Sequence, residues 1–209
     1  MLDLLGLATL SFVAAFSGAV VPGPVFVVVV SEALKKGKKA GPLIVLGHFA
    51  IEAIIILTVF LGLDVLLGST QATRLVSYIG GSILIFMGLY LARTVKNFRA
   101  NTFPNSETSY VSRGLVVAGF LSSGSNPHFF LWWFTTGIPV MALSLASAGA
   151  FGFAAFLIGH AAADLSWFSF VSYSVDKGKS YLNQRMVRAI LLGSALFLLG
   201  FGFLLIFLG

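Results

Sequence analysis

Two short segments, GHFAIE at 47–52 and GHAAAD at 159–164, each place a histidine four residues before an acid inside an apolar run. On a helix, residues i and i+4 share a face, so His48 lies over Glu52 and His160 over Asp164. These are the only acids deep in the predicted spans, and an ionisable group at a bilayer centre costs about 2.5–3.5 kcal/mol on insertion scales. Three chemistries compete. Each pair can satisfy itself and only fix packing. An acid can bind a substrate ammonium or carry a coupling proton, with histidine tuning it. Or His48, Glu52, His160 and Asp164 together supply two imidazoles and two carboxylates to a divalent metal.

A second source of chemistry is backbone. Pro22-Gly23-Pro24 interrupts a valine-rich run, and Asn126-Pro127 interrupts another. Proline frees a carbonyl in the preceding turn and glycine permits departure from helical dihedrals. In lipid a free backbone group costs several kcal/mol, so it is tolerated only against protein or a wet cavity. Unpaired N–H groups then suit a carboxylate and unpaired carbonyls an ammonium. Ser122, Ser123, Ser125 and Asn126 add side-chain donors and acceptors. The plainer reading is a pair of kinks re-satisfied by neighbouring helices.

The elements that must position these groups follow from composition. The chain has 209 residues, 58% of them hydrophobic and 10% charged, with mean hydropathy +1.00. Soluble domains average about 45–50% apolar and about 25% charged, so this is an all-α integral membrane protein by composition. There is no cysteine, which removes disulfides, thiolate metal sites and thiol redox chemistry. The N-terminus lacks a basic n-region and carries Asp3, so it reads as part of the mature protein. Six spans are predicted, at roughly Leu4–Val30, Gly41–Leu67, Leu75–Leu91, Gly114–Phe134, Leu145–Tyr173 and Val187–Leu208. NTFPNSETS, within 93–113, reads as a flexible central loop.

Of 13 lysines and arginines, all but Arg74 fall in loops 31–40, 93–113 and 174–188. The positive-inside rule makes those loops cytoplasmic and both termini external. Basic residues split among three short loops determine topology and meet anionic lipid headgroups; they do not form a nucleic-acid surface.

The chain also repeats itself. Gly47, His48, Ala50 and Glu52 match Gly159, His160, Ala162 and Asp164 at an offset of 112, and Gly81, Ser82, Leu84 and Gly88 match Gly193, Ser194, Leu196 and Gly200 at the same offset. FSGAVVPGP at 16–24 resembles FLSSGSNPH at 120–128 at an offset near 104, so about eight extra residues are expected in the fourth loop. Three spans per copy is an odd number, which predicts two inverted-topology three-helix repeats, 1–100 and 113–209, joined by a connector at 101–112. The breaks in spans one and four then sit at equal depth and face a shared polar cavity. Gly80, Gly81, Gly88, Gly193 and Gly200 are expected at close helix crossings. Trp132, Trp133 and Trp167 are expected to anchor or pack.

A first span ending in PGP, a basic loop with GKKAG, and SNPHFFLWW in the fourth span resemble the LysE-type (LysE/RhtB) amino-acid exporters over nearly the whole chain. That resemblance implies a small prokaryotic inner-membrane carrier, often oligomeric, that exports amino acids against the proton gradient. Pro22, Gly23, Pro24, Asn126 and Pro127 carry it. Many members have an acid directly after the glycine of span two, where this chain has His48 and places its acid at Glu52. The wider superfamily includes metal-ion and thiol-redox carriers, and the missing cysteines remove the second.

The expectation is therefore a secondary exporter of amino acids or similar amines, coupled to protons, with no cofactor and no enzymatic role. Pro22–Pro24 and Ser125–Pro127 are expected to shape the substrate site, and Glu52, Asp164, His48 and His160 to carry charge or proton. A divalent-metal exporter using those last four residues and a non-transporting membrane scaffold are the alternatives.

Overall fold

The computed structural model describes residues 3–21, 23–62, 70–96 and 109–208. Among them every regular element is helical. α1 (Leu4–Ala19) starts where the Asp3 carboxylate accepts the Gly6 N–H at 2.7 Å, a side-chain cap for an otherwise unpaired donor. α2 (Pro24–Lys36) follows Gly23, with Pro24 at the first helical position, where its missing N–H is not needed. α1 and α2 meet at 76°, so the first span is broken. Pro22 lies outside the described residues.

α3 (Ala40–Phe60) is 21 residues long, about 32 Å and enough to cross a hydrocarbon core. α4 (Thr70–Lys96) extends beyond the expected 75–91, with its strongly apolar part at Ser77–Arg93. α5 (Ser109–Gly124) ends at the second break. The Asn126 side chain then accepts the His128 N–H at 3.1 Å and caps α6 (Pro127–Trp132). A π-helical turn, Trp133–Gly137, leads into α7 (Ile138–Gly178). α8 (Gln184–Leu208) closes the chain.

Several boundaries expected from the sequence are corrected here. Span four does not end at Phe134, and span five does not begin at Leu145. The helix runs on to Ser147, and the chain turns at Ala148 and Gly149, where Gly149 takes φ +55°. Gly152 then abuts the Ser144 carbonyl, so the two arms of α7 fold against each other. MALSLAS is apolar and helix-tolerant, and glycine supplies the left-handed turn. The second correction follows from the first. The eight extra residues are not loop: the helix from Pro127 to Ser147 outlasts the 13-residue α2 by about two turns. The loops expected at 31–40, 93–113 and 174–188 are also shorter than read. Only 37–39 lies outside helix between α2 and α3, residues 93–96 and 109–113 are helical, and 174–178 completes α7. The expected connector at 101–112 falls outside the described residues up to 108, and Ser109 already opens α5.

An apolar core, including Val29, Leu34, Ile44, Leu84 and Leu191, is joined by buried polar groups, and the outer surface is apolar too. Leu57, Phe86, Phe151 and Leu196 are more than half exposed, while Ser122, Ser123, Ser125, Ser144 and Ser172 are fully buried. This is what an apolar solvent requires: apolar surface outward and hydrogen-bonding groups within. The sequence, the exposure pattern and the apolar helices define an all-α membrane protein. α3, α8 and the run from His128 to Tyr181 are each long and apolar enough to cross, as are α1 and α2 taken as one bent pair.

α1 packs along the second arm of α7, α3 along α5, and α4 along α8. At the α4–α8 contact a Cβ on Gly81 would meet the Gly202 carbonyl at 2.6 Å, and one on Gly88 would meet Leu199 at 2.8 Å. Gly193 and Gly200, expected at crossings, face open space; Gly202 takes that role in α8. Between α2 and α3, the turn at 37–39 is held by α7. Ser172 Oγ donates to the Lys38 carbonyl at 2.9 Å, and Asp176 accepts from the Lys38 backbone N–H and from Lys179 Nζ at 2.5 Å.

Candidate functional site

The site starts from two glycine–histidine dipeptides. A Cβ on Gly47 would collide with the Val116 carbonyl of α5, and one on Gly159 with the Ala8 carbonyl of α1. Glycine lets each helix lie directly on its neighbour's backbone. The next residue, histidine, then points into the bundle centre. His48, Glu52, His160 and Asp164 are all less than one-tenth exposed.

The two pairs interleave rather than stand apart. Within each helix the i, i+4 contacts are present: His48 Nε2 to Glu52 Oε1 is 3.2 Å, and His160 Nε2 to Asp164 Oδ2 is 3.3 Å. Across helices the contacts are as close: His160 Nε2 to Glu52 Oε1 is 2.7 Å and His48 Nε2 to Asp164 Oδ2 is 3.6 Å. The result is a ring in which imidazole and carboxylate alternate. The shortest side is a hydrogen bond in which His160 donates to Glu52. Asp164 Oδ2, by contrast, accepts no hydrogen bond among the described residues, and His160 Nδ1 has no partner among them either. Ser123 Oγ of α5 sits 2.7 Å from His48 Nδ1.

The ring is also the arrangement a metal would be tested against. Ligand atoms of His48, Glu52 and Asp164 lie within 4.8 Å of one another. Yet the Glu52–His160 side, 2.7 Å, is a proton-sharing distance. Two ligands of one tetrahedral ion, with bonds of about 2.0–2.1 Å, sit about 3.3 Å apart.

The quartet forms part of the wall of a cavity of about 140 Å³. Both helix breaks reach it. Gly23 and Pro24 line it from the first break, and Asn126 and His128 from the second. A Cβ on Gly23 would lie 3.7 Å from Asn126 Nδ2, so the interruptions face one another. α2 opens onto the cavity with no side chain capping its N-terminus; its first backbone N–H groups lack intrahelical partners and carry the positive end of the helix dipole. Ser125 behaves differently. Its hydroxyl donates to the Leu121 carbonyl, its backbone packs on Gly80, and it does not line the cavity. Pro127 is placed as the first residue of α6.

Several lining residues were not foreseen. Phe26, Phe129, Trp132, Phe168 and Phe201 bring aromatic rings from four helices to the cavity wall. Trp132 lines it directly, its indole in contact range of Gly18 and 5.4 Å from the His160 ring. Trp133 is fully buried against His160 and Phe156. Trp167 packs on Phe16 and Phe170, as expected of a packing residue. With 21 phenylalanines in the chain, no spacing marks out the few that face the cavity. The tryptophans' place directly after the second break was the one usable signal.

A helical membrane protein with a cavity between broken helices that carries ionisable side chains in its wall has the architecture of a solute carrier. Residues 16–209 match the family model of the LysE type translocator. The chain belongs to that family, a family of membrane translocators. No curated protein and no solved structure matches it.

Proposed function

We propose that this protein exports amino acids, or similar small zwitterionic amines, across a prokaryotic inner membrane in exchange for protons. The observation that carries this reading is the buried ring of His48, Glu52, His160 and Asp164 at the wall of a cavity reached by two helix breaks. Two carboxylates converge there on two imidazole nitrogens. Such a ring is stable only if it holds positive charge, because buried carboxylates must be paired. A proton on an imidazole supplies that charge. So does a substrate ammonium, which donates to the same oxygens. One site that accepts either a proton or an ammonium makes the two mutually exclusive, and that exclusion is the physical requirement for antiport. The substrate's carboxylate is placed at the uncapped N-terminus of α2, behind Gly23 and Pro24, with Asn126 opposite. The aromatic wall accommodates an apolar side chain.

Six crossings arranged as two inverted repeats, with both termini outside, complete the proposal. Helix pairing supports the repeat: exchanging the halves turns the contact of α1 with α7 into that of α5 with α3, and returns α4 with α8 to itself. Gly47 and Gly159 occupy equivalent places in it. The direction of transport follows the family.

The test is counterflow in proteoliposomes with a panel of labelled amino acids and divalent metal ions. Accumulation of an amino acid, abolished in Glu52→Gln and Asp164→Asn, is the expected result. Accumulation of a metal ion and no amino acid would replace the reading by the metal carrier. Movement of no solute by correctly folded protein would leave the scaffold.

A further inference from the structure

We infer that Ser123 is a positioning residue that fixes a proton on Nδ1 of His48 and so makes Nε2 of His48, rather than His160, the atom that takes up the coupling proton. The inference rests on the coupling role proposed for the quartet.

Ser123 Oγ is fully buried, with Gly119 O at 2.8 Å and His48 Nδ1 at 2.7 Å. A hydroxyl carries one proton. If that proton went to His48, Ser123 and Gly119 would be left with two oxygens face to face at hydrogen-bond distance and no hydrogen between them. Both contacts are satisfied in one way only: Ser123 donates to the Gly119 carbonyl, and His48 donates its Nδ1–H to Ser123. A singly protonated His48 therefore carries its lone pair on Nε2.

That lone pair points at Glu52 Oε1, 3.2 Å away, and Asp164 Oδ2, 3.6 Å away. A lone pair facing two carboxylates is a vacancy for a proton. A proton arriving from water in the cavity adds to Nε2 while the other proton stays on Nδ1 of His48, donated to Ser123 Oγ. On release it returns to water, and the vacancy becomes available to an ammonium N–H. The groups facing His48 are Glu52 from its own helix, His160 and Asp164 from α7, and the edge of the Phe129 ring from α6, 5.2 Å away. His128 lines the same cavity, whereas the α1 and α2 residues that line it carry no charge. His160 has no counterpart to Ser123 among the described residues. Its Nδ1 is unpartnered among them, and its Nε2 donates to Glu52 at 2.7 Å in the neutral ring. The two histidines match in the repeat and differ in role, because position 123 is serine and the position corresponding to it at the offset of 104 is Ala19.

Two measurements decide the matter. The first is nitrogen-15 histidine solid-state NMR of the wild-type protein in liposomes, with His48 assigned by its contact with carbon-13 serine. The expected result is an Nδ1 that stays protonated from about pH 5 to about pH 9 while Nε2 changes state. A bare Nδ1 with a protonated Nε2 anywhere in that range overturns the inference. This holds whether or not the protein transports anything, so it separates failure of the inference from failure of the carrier reading. The second is the pH profile of gradient-driven export. In Ser123→Ala the cationic ring loses an acceptor and binds its proton about tenfold less tightly, which moves the midpoint about one pH unit lower. Ser123→Thr, which keeps the hydroxyl, returns it toward wild type. A Ser123→Ala midpoint equal to wild type means the hydroxyl only packs.

Discussion

Glu52→Gln and Asp164→Asn remove the same charge from the same ring, yet the geometry assigns them different costs. Glu52 Oε1 accepts a hydrogen bond from His160 at 2.7 Å and lies 3.2 Å from His48. Asp164 Oδ2 accepts none among the described residues and stands 3.3 and 3.6 Å from the same two nitrogens. The difference is about one hydrogen bond to a charged group, about 1.5–3 kcal/mol. For a domain of this size that corresponds to about 3–12 °C in melting temperature. Glu52→Gln is therefore expected to melt lower than Asp164→Asn by that margin in detergent, measured by intrinsic tryptophan fluorescence or light scattering. Asp164→Asn is expected to melt close to wild type, because it also relieves repulsion from Glu52. Both variants are expected to lose proton-driven export, since each leaves the ring with one carboxylate. Under the proposed function, Asp164 is expected to matter for transport at little gain in stability. Equal melting of the two variants, or export by Asp164→Asn at the wild-type rate, would refute the reasoning.

Three further outcomes follow from the same coordinates. Gly47→Ala and Gly159→Ala each drive a methyl into a backbone carbonyl, so each is expected to destabilise by about 1–3 kcal/mol and to slow transport, read by melting and counterflow together. Asn126→Ala removes the cap of α6, expected to cost about 1 kcal/mol and, because Asn126 lines the cavity, to raise KM more than it lowers kcat. At the turn 37–39, burial pushes the Asp176 carboxyl up, but the hydrogen bond and charge of Lys179 and the Lys38 backbone N–H outweigh it and hold it below the ordinary aspartate range. Its hold on the turn is therefore present above that ordinary range and lost as pH falls through the lowered value. Hydrogen exchange at Lys38, corrected for intrinsic rate, should speed up only below about pH 4, and Asp176→Asn should show the fast rate at every pH.

Much of this was legible because the informative residues are rare. Four ionisable groups in long apolar runs, at i, i+4 spacing and repeated at one offset, stand out against a chain that is 10% charged. Both helix breaks were marked by proline, and the structure interrupts helix at Gly23 and at Ser125 and Asn126. What sequence withheld was chiefly lateral. Nothing in GHFAIE says that Glu52 lies closer to His160 on another helix than to His48 on its own. Ser122, Ser123 and Ser125 read alike in sequence, but only Ser123 reaches a histidine, while Ser125 turns back onto its own helix. The boundary at Gly149 was obscured because MALSLAS is equally good span and equally good helix. Gly202 could not be told from Gly200, since glycine marks a crossing only once the helix's rotation about its axis is known.

The central claim is that a proton and a substrate ammonium occupy one buried ring by turns. Simultaneous recording of labelled amino-acid flux and internal pH in proteoliposomes tests it most directly. Protons are predicted to move opposite to the amino acid in a fixed ratio, with both fluxes abolished together by Glu52→Gln. Amino-acid movement that leaves internal pH unchanged, or that survives Glu52→Gln in full, would contradict it.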